Sequence, residues 1–140
     1  MRKIIITFFI GLFAMNAFAQ NTRIKLTFEG NEIYAVITNS KAGNDFLSLL
    51  PLSVKAEDFN STEKIFYLSK KLNIENEPDG INPKAGDITY YAPWGNIAIF
   101  YKNFRYSNNL IYLGKFENVS DVEKLSNIKG NFDIRIERVN

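Results

Sequence analysis

The 140-residue sequence contains no cysteine and no histidine, and each absence removes a class of chemistry. Without cysteine no disulfide can brace the chain, so one apolar core must hold it, which is feasible at this length. Without histidine or cysteine, Ser-His-Asp and Cys-His nucleophilic systems are excluded, together with nearly all zinc sites. No metal and no cofactor is expected. Both methionines, Met1 and Met15, fall in the first 19 residues, and the single glutamine is Gln20. The sequence carries no internal repeat, low-complexity tract or second-domain boundary.

Those first residues read as a leader. Arg2 and Lys3 form a charged start, Ile4 to Met15 an apolar stretch, and Ala17-Phe18-Ala19 a small-residue cleavage signal before Gln20. The uncharged run Ile4–Ala19 is 16 residues long, short of the roughly 20 that cross a bilayer, and Asn16 interrupts it. The expected organisation is a signal peptide over 1–19 and one domain over 20–140, exported to the periplasm or secreted by a bacterium, with no stable membrane span after cleavage. Charge agrees with a plain surface. Of 17 basic residues two leave with the leader, which leaves 15 against 15 acidic ones. A neutral domain without a basic run carries no electrostatic footprint for nucleic acid, and no nucleic-acid partner is expected.

What is present is mostly β-pattern. Ile24, Leu26 and Phe28 alternate with charged and polar residues, as do Ile33, Ala35 and Ile37, and Gly30-Asn31 separates them as a hairpin turn. Asn39-Ser40 offers a helix cap before Phe46, Leu47 and Leu50, and Pro51 closes that short helix. Leu52–Ala56 and Lys64–Leu68 read as strands around the polar turn Glu57–Thr62. Ile65 and Tyr67 share one face of the second, with Phe66 and Leu68 on the other. Ser69–Ala85 is loop-rich, with Glu77-Pro78-Asp79-Gly80 and Asn82-Pro83 as turns.

The stretch Gly86–Lys102 organises the rest. Two apolar runs flank the turn Pro93-Trp94-Gly95-Asn96, which holds the only tryptophan. Ile97 to Tyr101 is almost continuously apolar, as expected of a strand covered on both faces. After it come the polar and aromatic connection Asn103–Asn109 and a strand from Leu110 to Phe116. A capping box Ser120-x-x-Glu123 then opens a second short helix, and a closing strand carries Phe132, Ile134 and Ile136. The expected fold class is mainly β: a closed barrel of about eight strands with two short capping helices, because closure removes exposed edges. Periodicity alone does not separate this barrel from a sandwich.

From about Arg23 to Val139 the chain resembles the bacterial cyclophilin-like domain family. The marks are the opening hairpin, Asn44-Asp45-Phe46-Leu47-Ser48-Leu49-Leu50-Pro51, Glu57-Asp58-Phe59-Asn60 with Glu63-Lys64-Ile65, and the run Gly86-Asp87-Ile88 through Tyr101. The resemblance implies the eight-stranded barrel of the peptidyl-prolyl isomerases, without implying their activity. Some members resemble partners of, or fusions to, flavodoxin-like proteins. Isomerases of this type set an arginine against the twisted amide, amid a glutamine, a methionine, a histidine, a tryptophan and phenylalanines. Past Gln20 this chain has no glutamine, methionine or histidine. Differential stabilisation of the twisted state needs groups of that kind.

Four arginines remain. Arg23, Arg135 and Arg138 sit on terminal strands, whereas Arg105 lies in a loop between Phe104 and Tyr106. Arg105 reads either as a guanidinium reaching a carbonyl or carboxylate over an aromatic wall, or as a surface cation stacked on Tyr106. Trp94 reads either as the wall of a groove or as a cap on the barrel end. Glu57, Asp58 and Glu63 read as a solvated acidic turn, and Asp87 as a carboxylate bonding its own turn. Asn60-Ser61-Thr62 and Asn118-Val119-Ser120 match glycosylation sequons, discounted for a bacterial protein. The leading expectation is a monomeric, non-catalytic binding module that holds a peptide or small ligand in an aromatic groove of Trp94, Tyr90, Phe104, Arg105, Tyr106 and Phe59. The alternatives are a divergent peptidyl-prolyl isomerase and an accessory protein of a flavodoxin-like redox system.

Overall fold

The structure, a computed structural model, describes residues 20–140; the leader and cleavage signal expected over 1–19 lie outside the described residues. Strands β1 (Thr22–Phe28) and β2 (Asn31–Ile37) pair as a hairpin, with Phe28 opposite Asn31. The turn is therefore Glu29-Gly30, one residue earlier than the sequence suggests. Both residues have positive φ, 47° and 74°, the backbone of a two-residue turn that matches strand twist. Helix α1 spans Lys41–Leu47, with Ser40 Oγ accepting the Gly43 N–H at 2.9 Å as its cap. It stops short of Leu50, which packs half-buried against the core with Leu49.

Next come β3 (Leu52–Phe59) and β4 (Glu63–Tyr67), joined by a tight turn, so β3 runs further than the polar segment implies. β5 (Gly80–Ile81), β6 (Asp87–Tyr91), β7 (Asn96–Phe100), β8 (Ser107–Asn108) and β9 (Leu110–Phe116) follow. The second helical segment starts earlier than the expected capping box. Asn118 caps a 3-10 turn over Val119–Asp121 by accepting the Ser120 N–H, and α2 (Val122–Ser126) continues from it. β10 (Phe132–Arg138) closes the chain.

Eight strands form a closed barrel in the order β1-β10-β3-β4-β7-β6-β9-β2, every neighbour antiparallel. The barrel is filled by Ile24, Leu26, Ile33, Phe66, Tyr90, Ile97, Ile99, Leu113 and Ile134, all buried. β7 is buried along its whole length, because Ile97 and Ile99 face inward while Ala98 and Phe100 join a second apolar cluster with Ile65 and Leu110. Ile81, Tyr91 and Phe104 cover that outer cluster. Segments otherwise read as connections supply the cover: β5 and β8 pair as a separate two-stranded sheet. Among the described residues no helix is long and apolar enough to cross a membrane.

Candidate functional site

A cavity of about 510 Å³ opens on the outer wall of the barrel, over the second apolar cluster. Its base comes from alternating strand positions: Glu63 and Ile65 on β4, Asn96 and Phe100 on β7, Tyr91 on β6 and Leu110 on β9. Register explains the set, since Glu63 pairs with Phe100 and Tyr91 with Asn96, and paired residues share a face. Two turns and an arm raise the walls. Phe59 comes from the end of β3 and Asn60 from the β3–β4 turn, Trp94 from the β6–β7 turn, and Phe104 to Asn109 from the arm.

Each wall is held locally. Gly95, with φ of 71°, reverses the chain so that the Trp94 and Gly95 N–H groups both donate to the Tyr91 carbonyl. Trp94 is 54% exposed, and its ring meets Phe59 and Tyr91 edge-on at 5.7 and 5.5 Å. The arm is tied down where the Phe104 N–H donates to the Pro83 carbonyl and the Asn109 N–H to the Asp79 carbonyl. Phe104 stacks on Phe100 at 6.3 Å, and the Arg105 guanidinium lies 5.3 Å above the Phe104 ring. Arg105 thus stacks on its preceding neighbour and not on Tyr106.

The fold brings together Phe59, Trp94, Phe104, Arg105 and Tyr106 from the expected groove. Tyr90 is not with them. It faces the barrel interior, 1% exposed, where its hydroxyl oxygen accepts the Leu72 N–H at 3.3 Å. Its neighbour Tyr91 points outward and lines the cavity instead. Adjacent residues of a strand project to opposite faces, so a one-residue difference decides which tyrosine belongs to the site.

The acidic turn is not simply solvated. Glu63 lines the cavity, and burial, reinforced by the Asp58 charge, pushes its carboxyl up to about 7. On the opposite face of the same hairpin, Lys64 is 1% exposed and donates from Nζ to the Ile128 carbonyl at 2.9 Å. Its Nζ also lies 3.1 Å from Asp58 Oδ1, which accepts the Tyr101 hydroxyl as well. Burial pushes the Asp58 carboxyl up, but the bonds from Tyr101, Lys64 and the Ser61 N–H outweigh it and hold it below the usual range. Burial, with the bond to Asp58, raises the Tyr101 phenol. Asp87 accepts the Lys84 N–H at 2.8 Å, a turn carboxylate as expected.

Sequence reasoning missed Glu63, Tyr91 and Asn96. The signal for Glu63 was present, because it shares strand parity with Ile65. Asn96 gave none, standing in a turn by composition yet beginning a buried strand.

The fold is similar to the solution structure of the hypothetical protein AF2241 from Archaeoglobus fulgidus, at TM-score 0.61 and 18% identity over 85% of this chain and 95% of that one. It is also similar to McbB, solved in complex with tryptophan, at TM-score 0.52 and 12% identity over 82% of this chain and 44% of that one. Identities this low show the fold alone. No curated protein matches the chain. A family model described as the cyclophilin-like family matches residues 26–137, most of the described barrel from β1 to β10. The chain belongs to the cyclophilin-like family.

Proposed function

We propose that this cyclophilin-like protein is an exported, non-catalytic binding module that holds a peptide or small ligand in the aromatic cavity on its barrel wall. One observation carries the reading: Phe59, Trp94, Phe104, Arg105 and Tyr106, from the end of β3, the β6–β7 turn and the arm, converge on a single cavity of about 510 Å³. That volume lies within the range of about 300–1,000 Å³ typical of ligand sites. Phe59, Trp94 and Tyr106 are 39%, 54% and 49% exposed. Large aromatics left in water around a concavity, beside an arginine, are the residue types that dominate binding energy. Export rests on the leader pattern at residues 1–19.

The only tryptophan stands on the rim and supplies the test. Titration with a set of short peptides and aromatic small molecules is expected to shift Trp94 fluorescence saturably. Phe59→Ala is expected to weaken that binding by about tenfold, the scale of one aromatic anchor, with little change in the unfolding midpoint. A parallel assay on proline peptides is expected to show no accelerated isomerisation. Acceleration that vanishes in Arg105→Ala would overturn the non-catalytic reading.

A further inference from the structure

Two polar groups at the base of the cavity are left without partners by the chain itself. Asn96 is 2% exposed, and its amide is oriented by Nδ2 donating to the Ile97 carbonyl at 3.2 Å. Its Oδ1 accepts nothing among the described residues. An acceptor buried in this way destabilises the fold until a donor reaches it. Glu63 lines the same cavity and forms neither an ion pair nor a side-chain hydrogen bond among the described residues. The charged groups of this protein pair readily elsewhere. Lys25, for example, reaches Glu137 at 3.4 Å, and Lys55 reaches Asp133 at 3.4 Å.

Both unpartnered groups accept hydrogen bonds, and neither donates while Glu63 is ionised. The rings paired with Glu63 across the sheet are Phe59 on β3 and Phe100 on β7, with Tyr91 and Trp94 further along the cavity, and aromatic faces attract cations. We infer that the cavity is selective for a ligand carrying a protonated amine, with the ammonium held by the Glu63 carboxylate and the organic part running along the aromatic walls toward Asn96. Asn96 stands at the other end of the floor, four residues along β7 from Phe100, the pairing partner of Glu63. This inference rests on the binding-module reading and names the ligand class.

The charges around Glu63 agree with that preference. Asp58, from the paired strand β3, repels a proton-free Glu63, while Lys64, on the other face of β4, is spent on Asp58 and the Ile128 carbonyl. Tyr101, just past β7, is spent on Asp58 too. Arg105 also lines the cavity, but its guanidinium is held over Phe104 and makes no ion pair among the described residues. Tyr91 and Tyr106 are the remaining titratable side chains of the wall. Among the described residues no cation therefore pairs with Glu63, and an arriving ammonium would be the first to do so.

Three probes of similar shape test this by calorimetry on the wild-type protein: 2-phenylethylamine, 2-phenylethanol and 3-phenylpropionate. The amine stays protonated across the range used, since such groups titrate at about 10. At pH 8 the amine is expected to bind at least tenfold more tightly than either other probe. At pH 6, where Glu63 is mostly protonated, that preference is expected to shrink, and Glu63→Gln is expected to remove it at pH 8 without lowering the thermal midpoint. Equal or tighter binding of the alcohol or the carboxylate overturns the inference and leaves the binding-module reading standing. Binding of none of the three overturns it also, and the binding-module reading falls with it only if the fluorescence titrations are silent as well. An amine preference that Glu63→Gln leaves intact overturns the assignment of Glu63.

Discussion

Lys64 Nζ sits between Asp58 Oδ1 and the Ile128 carbonyl, with the Tyr101 and Phe132 rings 5.4 and 5.7 Å away. Removing Asp58 strands the buried ammonium, whereas an apolar side chain of similar length in place of Lys64 strands only the Asp58 carboxylate, which is 33% exposed and still accepts from the Tyr101 hydroxyl and the Ser61 N–H. Asp58→Ala is therefore expected to cost about 2–3 kcal/mol, the scale of hydrogen bonds to charged groups, and Lys64→Met less than about 1 kcal/mol. Urea unfolding midpoints of the two variants check the order, and a larger loss for Lys64→Met would contradict it. Glu63 gives a separate signature in pH. Its carboxyl rises from 4.5 to about 7 on folding, so between those values the folded chain holds a proton that the unfolded chain has released. The stabilisation is complete below 4.5 and is lost as pH rises through 7. Asp58 acts oppositely and elsewhere: its lowered carboxyl stabilises above 3.8, and that share is lost only in acid. Denaturation from pH 5 to 8 is expected to show a fall of about 1–2 kcal/mol, the full shift being discounted for solvent contact, and Glu63→Gln to flatten it.

At the scale of elements, the cavity depends on two pairs of residues outside the barrel. Gly80 and Ile81 pair with Asn108 and Ser107, and this small sheet holds the arm that carries Phe104, Arg105 and Tyr106. A Cβ on Gly80 would collide with the Ser107 carbonyl oxygen and come within 2.9 Å of the Tyr106 ring. Gly80→Ala is thus expected to push the arm outward and weaken ligand binding about tenfold or more, while costing no more than about 1–3 kcal/mol of stability. Trp94 fluorescence titration beside a urea curve separates the two effects. The elements themselves were largely legible. The alternation of Ile24, Leu26 and Phe28 marked a half-buried strand, and the run Ile97–Tyr101 marked one covered on both sides, because apolar pattern records how many faces are buried. The site was legible only in part. Aromatics crowded around Pro93-Trp94-Gly95 and Phe104-Arg105-Tyr106 pointed to a groove. The choice between Tyr90 and Tyr91 needed the pairing register, since Ile88 to Tyr91 contains no charged residue to mark the outer face. Lys64 was hidden for another reason: its partners come from β3 and from the connection before β10, which no local pattern brings together.

Taken whole, the molecule separates stability from recognition. The barrel interior is filled by aliphatic side chains with Tyr90 and Phe66, and the cavity residues stand outside that wall on Phe100, Ala98 and Ile65. The same closed order that leaves no barrel edge unpaired leaves the outer face of β4, β7 and β6 free to carry a second layer. Another concavity, bordered by Phe28, Val54, Asp133 and Arg135, lies on β1, β3 and β10, with Phe28 the single aromatic on its lining. Ligands are expected to enter the aromatic cavity on β4, β6 and β7. The most direct measurement is a backbone amide NMR titration of the wild-type protein with 2-phenylethylamine at pH 8. The predicted result is that shifts concentrate at Phe59, Glu63, Trp94, Asn96 and the segment 104–110, with the Trp94 indole signal among the largest. Shifts centred on Thr27–Glu29, Ser53–Lys55 and Asp133–Arg135, or spread evenly over the barrel, would contradict it.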